Sequence, residues 1–488
     1  MNRAVRWFDY ITINIYYLGL TTLSTTNVLI FPLLVQKFVG VAEQGTFFGT
    51  LRLWSLMVAV LVQSAMGLLS DHSTSRWGRR RPFIFTGTIF DLLFLFALGF
   101  LIGMEGMQGF VFLFILAIVL SIATNTAHAA QQGLIPDIVL AEKRGRFSGV
   151  KAMFELPIPL LLASFTIARL ISQGYMLASI IAAMIILSIC MIITMFVREK
   201  PLEDHDKKLD WTPFMRLIIM TIIFTVIILV MGELVQQMGN LIRNVELPFT
   251  LIAIMGFSGL VAMIIAVALG VWLSIRTGLG KDARKNQPYT WWVINRLAFL
   301  VGVTNLSTFA LFYLQARLGY IEEQAAQPAS ILLLIVGVFI LIFTLPSGWL
   351  ADRFGHKQMV IVSGLLAFVG TVIALIVPSL AFIYIGGTLI GASTGIFFTA
   401  NWALGTAIVP KAEAGRYLGI SNLAGAGAGA VGAYIGGPIA DYFTNYLPDS
   451  PGLGYIILFS IYGMLFLFSV YAVTRIKEKS YIARIYSS

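Results

Sequence analysis

The sequence predicts an all-α integral membrane protein of two related six-helix halves with two further helices between them. Hydrophobic residues make up 58% of the 488 positions and charged residues only 11%, a balance that soluble globular proteins do not show. Apolar runs of about 20 residues recur along the chain, and each can cross a hydrocarbon core about 30 Å thick. Because these runs are continuous rather than alternating, and backbone groups in lipid must pair internally, we predict helices rather than a barrel.

Fourteen apolar runs are predicted to span the membrane. They lie near 12–38, 47–69, 82–103, 110–135, 147–172, 175–197, 214–235, 248–275, 291–315, 329–350, 358–377, 381–408, 416–440 and 454–474. The segment Met1–Tyr10 leads directly into the first run without a small-residue cleavage site, so we expect no cleaved signal peptide. The single cysteine, Cys190, lies inside an apolar run and is expected to be a buried structural thiol.

The charges of the loops orient these spans. With both termini in the cytoplasm, 27 of the 33 lysines and arginines fall in the predicted inner segments, as the positive-inside rule requires. We therefore expect a multi-pass protein of the cell membrane with cytoplasmic termini. Thirteen spans would place Arg353 and Lys357 outside, whereas twelve would leave two apolar runs in 214–275 unexplained. The net charge of +10 then reflects topology and an anionic leaflet, and no nucleic-acid partner is expected.

The two halves of the sequence repeat each other. Three pairs of short matches occur in the same chain order, at offsets of 283, 281 and 270 residues: Leu23-Ser-Thr with Leu306-Ser-Thr, Gly67-Leu-Leu-Ser-Asp71 with Gly348-Trp-Leu-Ala-Asp352, and Gly145-Arg-Phe-Ser-Gly149 with Gly415-Arg-Tyr-Leu-Gly419. The predicted domains are a first bundle over 1–197, a central segment over 198–290 with the two inserted spans, and a second bundle over 291–488. Repeats of this kind place a solute site at their interface near the membrane midplane.

The segment from Gly67 to Ile84 carries a family resemblance. It reads GLLSDHSTSRWGRRRPFI and is similar to the loop between helices 2 and 3 of major facilitator superfamily transporters. It resembles in particular the plant sucrose transporters, their animal relatives and the glycoside–pentoside–hexuronide cation symporters, and the likeness extends to Asn125-Thr126 and Asp137. The resemblance implies a secondary transporter with alternating access between its halves.

This loop also has a physical interpretation of its own. Gly67 is expected to let the second helix approach a neighbour, Asp71 to accept hydrogen bonds at the membrane edge, and Gly78 to permit a tight return. The arginines are topology anchors, and the resemblance adds their pairing with Asp71 as a conformational latch. The candidate gating residues are Gly67, Asp71, Gly78, Arg79, Arg80 and Arg81, with Gly348, Asp352, Arg353 and Gly355 in the second half.

The sequence also departs from the sucrose-transporter pattern. Ser121 stands where those proteins typically carry an aspartate, and Gln132 stands where they carry an arginine. The residues at both positions are tied to proton and sugar handling in that family. The two central spans resemble those of fourteen-helix drug–proton antiporters, which keeps a proton-coupled efflux function open.

Ionisable residues at membrane depth are costly and usually functional. Glu155 and His128 are predicted roughly 12–14 Å deep on adjacent helices, where a His–Glu pair can bind and release a proton near neutral pH. A structural hydrogen bond between packed helices is the alternative. Asp91, in the middle of the third span, is the third candidate coupling residue.

Neutral polar side chains suggest a polyhydroxy or otherwise polar solute. Amides near an aromatic platform suit such ligands, although hydrogen bonding between helices is the alternative for any single residue. The candidate solute-binding residues are Asn14, Asn27, Asn125, Asn295, Asn305, Asn401 and Trp402. In the eleventh helix of the two-bundle pattern, the small residues of Ala424–Pro438 predict a packing surface.

The predicted function is therefore cation- or proton-coupled symport of a sugar- or glycoside-like solute, with proton-coupled efflux of drugs or metabolites as the alternative. The expected partners are a small solute, a proton or sodium ion, and the bilayer. The sequence contains no nucleophile elbow, zinc-protease motif or metal-spaced cysteine and histidine cluster, so no enzyme activity, cofactor or metal is expected. A membrane enzyme or lipid-handling protein is a third class, and it would need a catalytic cluster that the sequence does not display.

Overall fold

The computed structural model describes residues 7–139, 143–199, 211–243, 247–279, 287–409, 414–447, 450 and 452–476. Parts of the predicted inner loops, with His205 and Lys281, lie outside the described residues. The described residues form helices joined by turns.

The described residues of the first half form eight α-helices and one π-helical turn. These are α1 (Trp7–Val39), α2 (Gln44–Asp71), α3 (Arg81–Leu101), α4 (Gly106–Ile138), α5 (Arg144–Glu155), α6 (Pro157–Leu162), the π turn Ala163–Ile167, α7 (Ala168–Ser172) and α8 (Met176–Thr194). The described helices that follow are α9 (Thr212–Leu241), α10 (Pro248–Leu279), α11 (Gln287–Thr308), α12 (Ala310–Leu318), the 3₁₀ turn Glu322–Ala325, α13 (Ala326–Phe354), α14 (His356–Ile376), α15 (Leu380–Ile408), α16 (Ala414–Tyr446) and α17 (Leu453–Thr474).

The predicted count of fourteen spans is slightly high. Twelve helical segments of the described chain are long and apolar enough to cross a membrane, and the pair α11 and α12, bent by 55°, raises this to thirteen. Both predicted central spans are among them, as α9 and α10. The remaining prediction, 416–440, lies in α16, where alternating glycine and alanine make the helix less apolar than its neighbours and some residues lie outside the description.

Contacts between Cα atoms divide the chain into two compact units. Unit 1 contains residues 1–40, 58–215 and 320–334. In it α1 packs against α4 and α8, and a glycine at position 87 brings α3 close to the backbone of α4. Cys190 is buried and free on α8, as predicted.

Unit 2 contains residues 41–57, 216–319 and 335–488. Here α11 packs against α16 and α17, while α14 packs against α15 with Gly370 and Gly386 at the contact. The inserted helix α10 packs against α16, α11 and α17. Unit 2 thus holds most of the central segment together with the second sequence repeat.

The division of α2 and α13 follows the internal duplication. The two helices begin 282 residues apart, at Gln44 and Ala326, and each ends beside the repeated Gly-x-x-x-Asp motif. The first part of α2 belongs to unit 2, and the first part of α13 belongs to unit 1. In unit 1, Ser164 of the π turn bonds to the hydroxyl and carbonyl of Ser330 at 2.9 and 3.0 Å. In each repeat, the first part of this helix therefore belongs to the unit that holds most of the other repeat.

The small residues of α16 form a packing surface, as predicted. A Cβ on Gly437 would overlap the carbonyl oxygen of Gly45 in α2, and one on Gly432 would overlap the Nδ2 atom of Asn305 in α11. Only glycine permits such close approach of helices at these positions.

Candidate functional site

Unit 1 holds a cluster of ionisable side chains around the ring of Tyr17. The Lys151 ammonium lies 4.6 Å from the centre of this ring, and His128 packs edge-on with ring centres 6.3 Å apart. Lys151 Nζ is 3.5 Å from Glu155 Oε2, and His128 Nε2 is 3.1 Å from Gln132 Nε2. Among the described side chains, Glu155 pairs with Lys151, and it reaches His128 only through Lys151 and Tyr17.

The local sequence explains where Glu155 stands. It is the last residue of α5, and α6 begins two positions later at Pro157, which has no amide hydrogen and cannot continue the hydrogen-bond ladder. Leu156 between them is outside the helical region, with φ −122° and ψ −72°. The proline therefore ends α5 and begins a separate helix. It leaves the Glu155 carboxylate at a helix end with 40% of its side chain exposed, accessible to a proton.

Asp91 occupies a second, separate position in unit 1. It is fully buried on α3 and accepts a hydrogen bond from Thr124 Oγ1 of α4 at 2.6 Å, while its Oδ2 atom has no partner. One turn earlier on α3, Thr88 shares a 2.5 Å hydrogen bond with the hydroxyl of Tyr16. Asp91 is thus part of a polar layer between α1, α3 and α4.

The three candidate asparagines of the first half are not brought together into one group. Asn14 and Asn125 bond within their own helices, to the carbonyls of Tyr10 and Ser121, at 2.9 and 2.8 Å. The side-chain oxygens of Asn14 and Asn27 are buried and have no partner. These two oxygens remain available as acceptors for a hydroxyl donor.

Unit 2 brings three of its four predicted residues together, namely Asn295, Asn401 and Trp402. Asn401 on α15 donates to Asn295 Oδ1 of α11 at 2.7 Å, and Asn295 donates to the carbonyl and hydroxyl of Ser469 at 2.8 and 2.7 Å. Asn401 Oδ1 accepts from Arg296 Nη1 at 3.2 Å. The Arg296 guanidinium lies over the Trp402 ring at 5.5 Å, and the indole is 41% exposed. Asn295, Arg296, Asn401 and Trp402 are called the amide–arginine group below.

Arg296 is the unexpected member of this group. It lies nine residues, or about 13 Å of helix, after the start of α11, and its Nε atom is buried without a hydrogen-bond partner. None of the ion pairs between described residues involves it. A guanidinium without a carboxylate at this depth is costly, so its free donors are suited to a ligand that supplies acceptors.

Asn305 has a different role from the other second-half candidates. Its amide donates to the carbonyls of Val301 and Ala428 at 2.9 and 3.0 Å, so it joins α11 to α16. It is fully buried against Gly432. Its contacts are those of interhelical packing.

The loop between α2 and α3 forms an ionic network at the end of unit 1. Arg80 is 5% exposed and forms ion pairs with both Asp71 and Asp137, with a 2.8 Å bond from its Nε atom to Asp137. It also donates to Ser70 Oγ at 2.6 Å, and Arg79 forms a second ion pair with Asp137. The predicted pairing of an arginine with Asp71 is therefore present, and Arg80 provides it.

Glu199 completes this network from the far end of unit 1. Its carboxylate accepts from the backbone amides of Arg80 and Arg81 at 2.7 and 3.3 Å. Burial raises the pKa of Glu199, although these amides and the guanidinium charges act in the opposite direction. Gly78, at φ +107°, makes the predicted tight return, and a Cβ there would overlap the Glu199 carboxylate.

Gly67 makes no close contact with a neighbouring helix in this structure. No described heavy atom lies within 4 Å of a Cβ built on it, so it does not serve a close helix approach in this conformation. At its repeat equivalent, Gly348, the nearest atom is 3.8 Å from such a Cβ. In the second-half loop, Gly355 has φ +95° and Arg353 stacks over Trp349 at 5.6 Å. Asp352 and Arg353 form no ion pair with a described residue.

A buried carboxylate that the sequence analysis did not single out fastens the start of α2 within unit 2. Asp441 of α16 accepts from the backbone amides of Gly45 and Thr46 at 2.8 and 2.7 Å. These are free amides of the first helical turn, where negative charge is favoured. Beside them Gln44 donates to the Tyr455 hydroxyl at 3.0 Å.

Sequence reasoning also missed Tyr17, Lys151 and Arg296. Lys151 and Arg296 lie only four and five residues after the start of a predicted span, where a long basic side chain can reach the membrane edge. In the structure α5 and α11 begin three to four residues earlier than those spans, so both residues lie further inside their helices. The available signal was the spacing of four residues between Lys151 and Glu155, which places both on one helix face. Nothing in the sequence pattern marks Tyr17.

Family models match most of the chain. The model described as "MFS/sugar transport protein" matches residues 39–281, and the one described as "Major Facilitator Superfamily" matches residues 297–483. The chain is a member of the major facilitator superfamily. This is a family of membrane transporters rather than of enzymes, and the protein is accordingly a multi-pass membrane protein.

Solved transporters share the fold at low identity. The nucleoside transporter NupG aligns with a TM-score of 0.64 at 12% identity, over 96% of this chain and 99% of that one. The peptide transporter POT, in complex with sulfate, gives 0.62 at 13% over 96% and 95%. The xylose transporter XylE from E. coli, in a partially occluded inward-open conformation, gives 0.54 at 14% over 96% and 98%.

One stretch of the chain is also similar to a curated plant protein. The sucrose transport protein SUT1 of Oryza sativa subsp. japonica is 46% identical over 44 residues, which is 9% of this chain and 8% of that protein. The predicted resemblance to sucrose transporters is thus confirmed for a short segment.

Proposed function

We propose that this protein is a secondary active transporter that carries a sugar- or glycoside-like polar solute together with a proton or another cation. The observation that carries the proposal is the cluster of Glu155, Lys151, Tyr17 and His128, an acid, two bases and a phenol on helices long and apolar enough to span the membrane. A coupled carrier needs a group whose charge changes with ion binding, and such groups are otherwise rare inside a membrane.

Glu155 is the proposed ion-binding group. When the carboxylate is charged, Lys151 at 3.5 Å neutralises it; when Glu155 takes up a proton or a cation, Lys151 loses its counter-charge and retains the Tyr17 ring. The two loading states therefore stabilise different positions of the lysine, and a ligand-dependent equilibrium requires such differential interactions. Asp91 is the second candidate, since one of its oxygens is buried without a partner.

The amide–arginine group is the proposed solute-binding element. Asparagine amides and the Arg296 fork offer donors for hydroxyl oxygens, and the exposed Trp402 indole offers an apolar platform for a sugar ring. The family model with sugar transport in its description and the short likeness to a sucrose transport protein support a sugar or glycoside as the solute.

A specific observation favours the alternative, proton-coupled efflux. The inserted helices α9 and α10 are both long enough to span the membrane, as in the fourteen-helix antiporters that the sequence resembles. Symport and antiport differ in the direction of proton movement. We would therefore reconstitute the protein in liposomes containing a pH dye, clamp the voltage, and add each solute of a sugar, glycoside, nucleoside and drug panel outside.

Symport predicts that an entering solute acidifies the lumen, whereas antiport predicts that the lumen becomes alkaline. Protein-free liposomes supply the control for passive leakage. Proton and sodium coupling would both be contradicted if solute entered without any pH change and at the same rate with and without sodium.

We also propose that the protein lies in the cell membrane with both termini in the cytoplasm. Single cysteines are introduced on a Cys190→Ala background. Asn240→Cys should then be labelled by an impermeant reagent added outside. Lys281→Cys should be labelled by it only after permeabilisation. The reason is that the two positions flank α10. Labelling of both from one side would contradict a spanning α10.

A further inference from the structure

Unit 2 contains a large crevice whose lining includes none of the residues of the amide–arginine group. Its volume is about 1190 Å³, and it lies between the inserted helix α10, the start of α11 and the end of α17. One wall is an apolar strip on α10, from Ile265 through Leu269, which continues to Arg276 over about 16 Å of helix. Ile265 and Leu269 are each 39% exposed, so this strip is not covered by the protein.

One end of the crevice is basic and aromatic. Arg276 lies over the ring of Trp272 at 5.3 Å, and Arg475 lies over Trp291 at 5.9 Å. No acidic residue is among the described residues that line the crevice, and neither arginine has an ion pair within the described chain. Among the described residues, the two arginines of the crevice therefore have no carboxylate partner, and they lie beside an exposed apolar wall.

We propose that this crevice binds an anionic phospholipid from the surrounding leaflet. Two guanidinium groups suit the oxygens of a phosphodiester, and tryptophans are favoured at the level of lipid headgroups. An acyl chain covers the apolar strip on α10, which a water-soluble anion leaves bare. Basic pockets between spanning helices are known to bind acidic headgroups in this way. The bound lipid packs the inserted helix α10 against α11 and α17.

Native mass spectrometry of the purified full-length protein tests this assignment. The protein is mixed with equal amounts of phosphatidylglycerol and phosphatidylcholine, and retained lipid is counted. We expect preferential retention of phosphatidylglycerol by the wild type and a loss of about 30-fold in the double variant Arg276→Gln and Arg475→Gln, the factor expected for two arginines near an anionic surface. Arg353→Gln is the matched control, because Arg353 also stacks on a tryptophan but lies outside the crevice.

A second variant removes space instead of charge. Ala268→Phe adds a ring to the apolar wall and should reduce retention while both arginines remain. Equal retention of the two lipids by the wild type, or wild-type retention by the double variant, would overturn the proposal. Displacement of phosphatidylglycerol by millimolar inorganic phosphate would also overturn it, because the crevice would then be a site for a free anion.

Discussion

The two units of this duplicated framework differ in their polar side chains. In unit 1 the polar side chains at depth include two carboxylates, Glu155 and Asp91, with a lysine and a histidine. In unit 2 the amide–arginine group contains no carboxylate. The difference supports the proposed division of roles, in which unit 1 binds the ion and unit 2 binds the solute.

The repeat offsets show how closely the two arrangements correspond. With an offset of 270 residues, Gln131 of α4 stands where Asn401 stands in α15; with an offset of 283, Ile13 of α1 stands where Arg296 stands in α11. Gln131 donates to the carbonyl of Ile13 at 2.6 Å, and Asn401 accepts from Arg296 at 3.2 Å. The same helix contact persists in both halves, and only the second half has gained a cation there.

The largest effect is expected when the proposed ion-binding carboxylate of unit 1 is removed. Glu155→Gln should reduce proton-driven accumulation to simple equilibration, because the amide cannot change its charge, while exchange of internal for external solute continues. Accumulation and exchange are measured with labelled solute in liposomes. Glu105→Gln, at an exposed carboxylate before α4, is the control. Accumulation by Glu155→Gln with the proton dependence of the wild type would make Glu155 structural and turn attention to Asp91.

The next largest effect is expected when Arg296 is removed from the proposed solute site of unit 2. Arg296→Gln should raise the KM for solute about 30-fold, which corresponds to about 2 kcal/mol for a hydrogen bond from a charged guanidinium to the solute. Initial uptake rates over a range of solute concentrations measure it. Arg243→Gln is the matched control, since Arg243 also stacks on a ring, that of Tyr446 at 5.4 Å, but is exposed at the end of α9. An unchanged KM would remove Arg296 from the proposed solute site.

A moderate effect is expected at the loop network. Asp71→Asn should slow transport roughly tenfold without loss of membrane insertion, because one charge-assisted hydrogen bond to Arg80 is worth about 1.5 kcal/mol. The repeat equivalent Asp352→Asn provides the control, as Asp352 forms no ion pair with a described residue. The turnover rates of the Asp71→Asn and Asp352→Asn variants are compared at equal surface expression. Equal rates for both variants would mean that the latch does not control transport.

The smallest effect concerns Glu199 and pH. Burial raises its pKa above the ordinary value of 4.5, so folding favours the protonated form, and this stabilisation is lost as pH rises through the folded-state pKa. From pH 4.5 towards neutrality, the Tm of the wild type should therefore fall relative to that of Glu199→Gln, by about 1 °C in detergent. A difference in Tm that does not change over this pH range would show that Glu199 has the same pKa in both states.

Much of the fold follows from the sequence because the bilayer imposes a simple rule on length and polarity. Hydropathy indicates the spans. Pro157 explains the break in the fifth span, because proline lacks the amide hydrogen that would continue the helical hydrogen bonds. The break at Phe309 between α11 and α12 has no comparable residue and was not predicted. The Arg80 network was predicted in part, because the resemblance supplied Asp71, but Glu199 lies 119 residues from Arg80 in the chain.

The site was less predictable because its contacts are tertiary. The candidate amides Asn295 and Asn401 on α11 and α15 do contact each other, yet the same reasoning selected Asn305, which packs against α16. Lys151 and Arg296 do not stand out in the sequence because helix ends cannot be placed to within one turn from hydropathy. Asp441 was missed because its partners are backbone amides 395 and 396 residues away.

The proton-to-solute ratio measures the proposed division of work most directly. Reversal potentials across liposomes with imposed solute and pH gradients give this ratio for the wild type, Glu155→Gln and Arg296→Gln. The account predicts a fixed ratio for the wild type, the same ratio for Arg296→Gln despite weaker solute binding, and a ratio of zero for Glu155→Gln. A changed ratio in Arg296→Gln, or an unchanged one in Glu155→Gln, would contradict the assignment of the ion to unit 1 and the solute to unit 2.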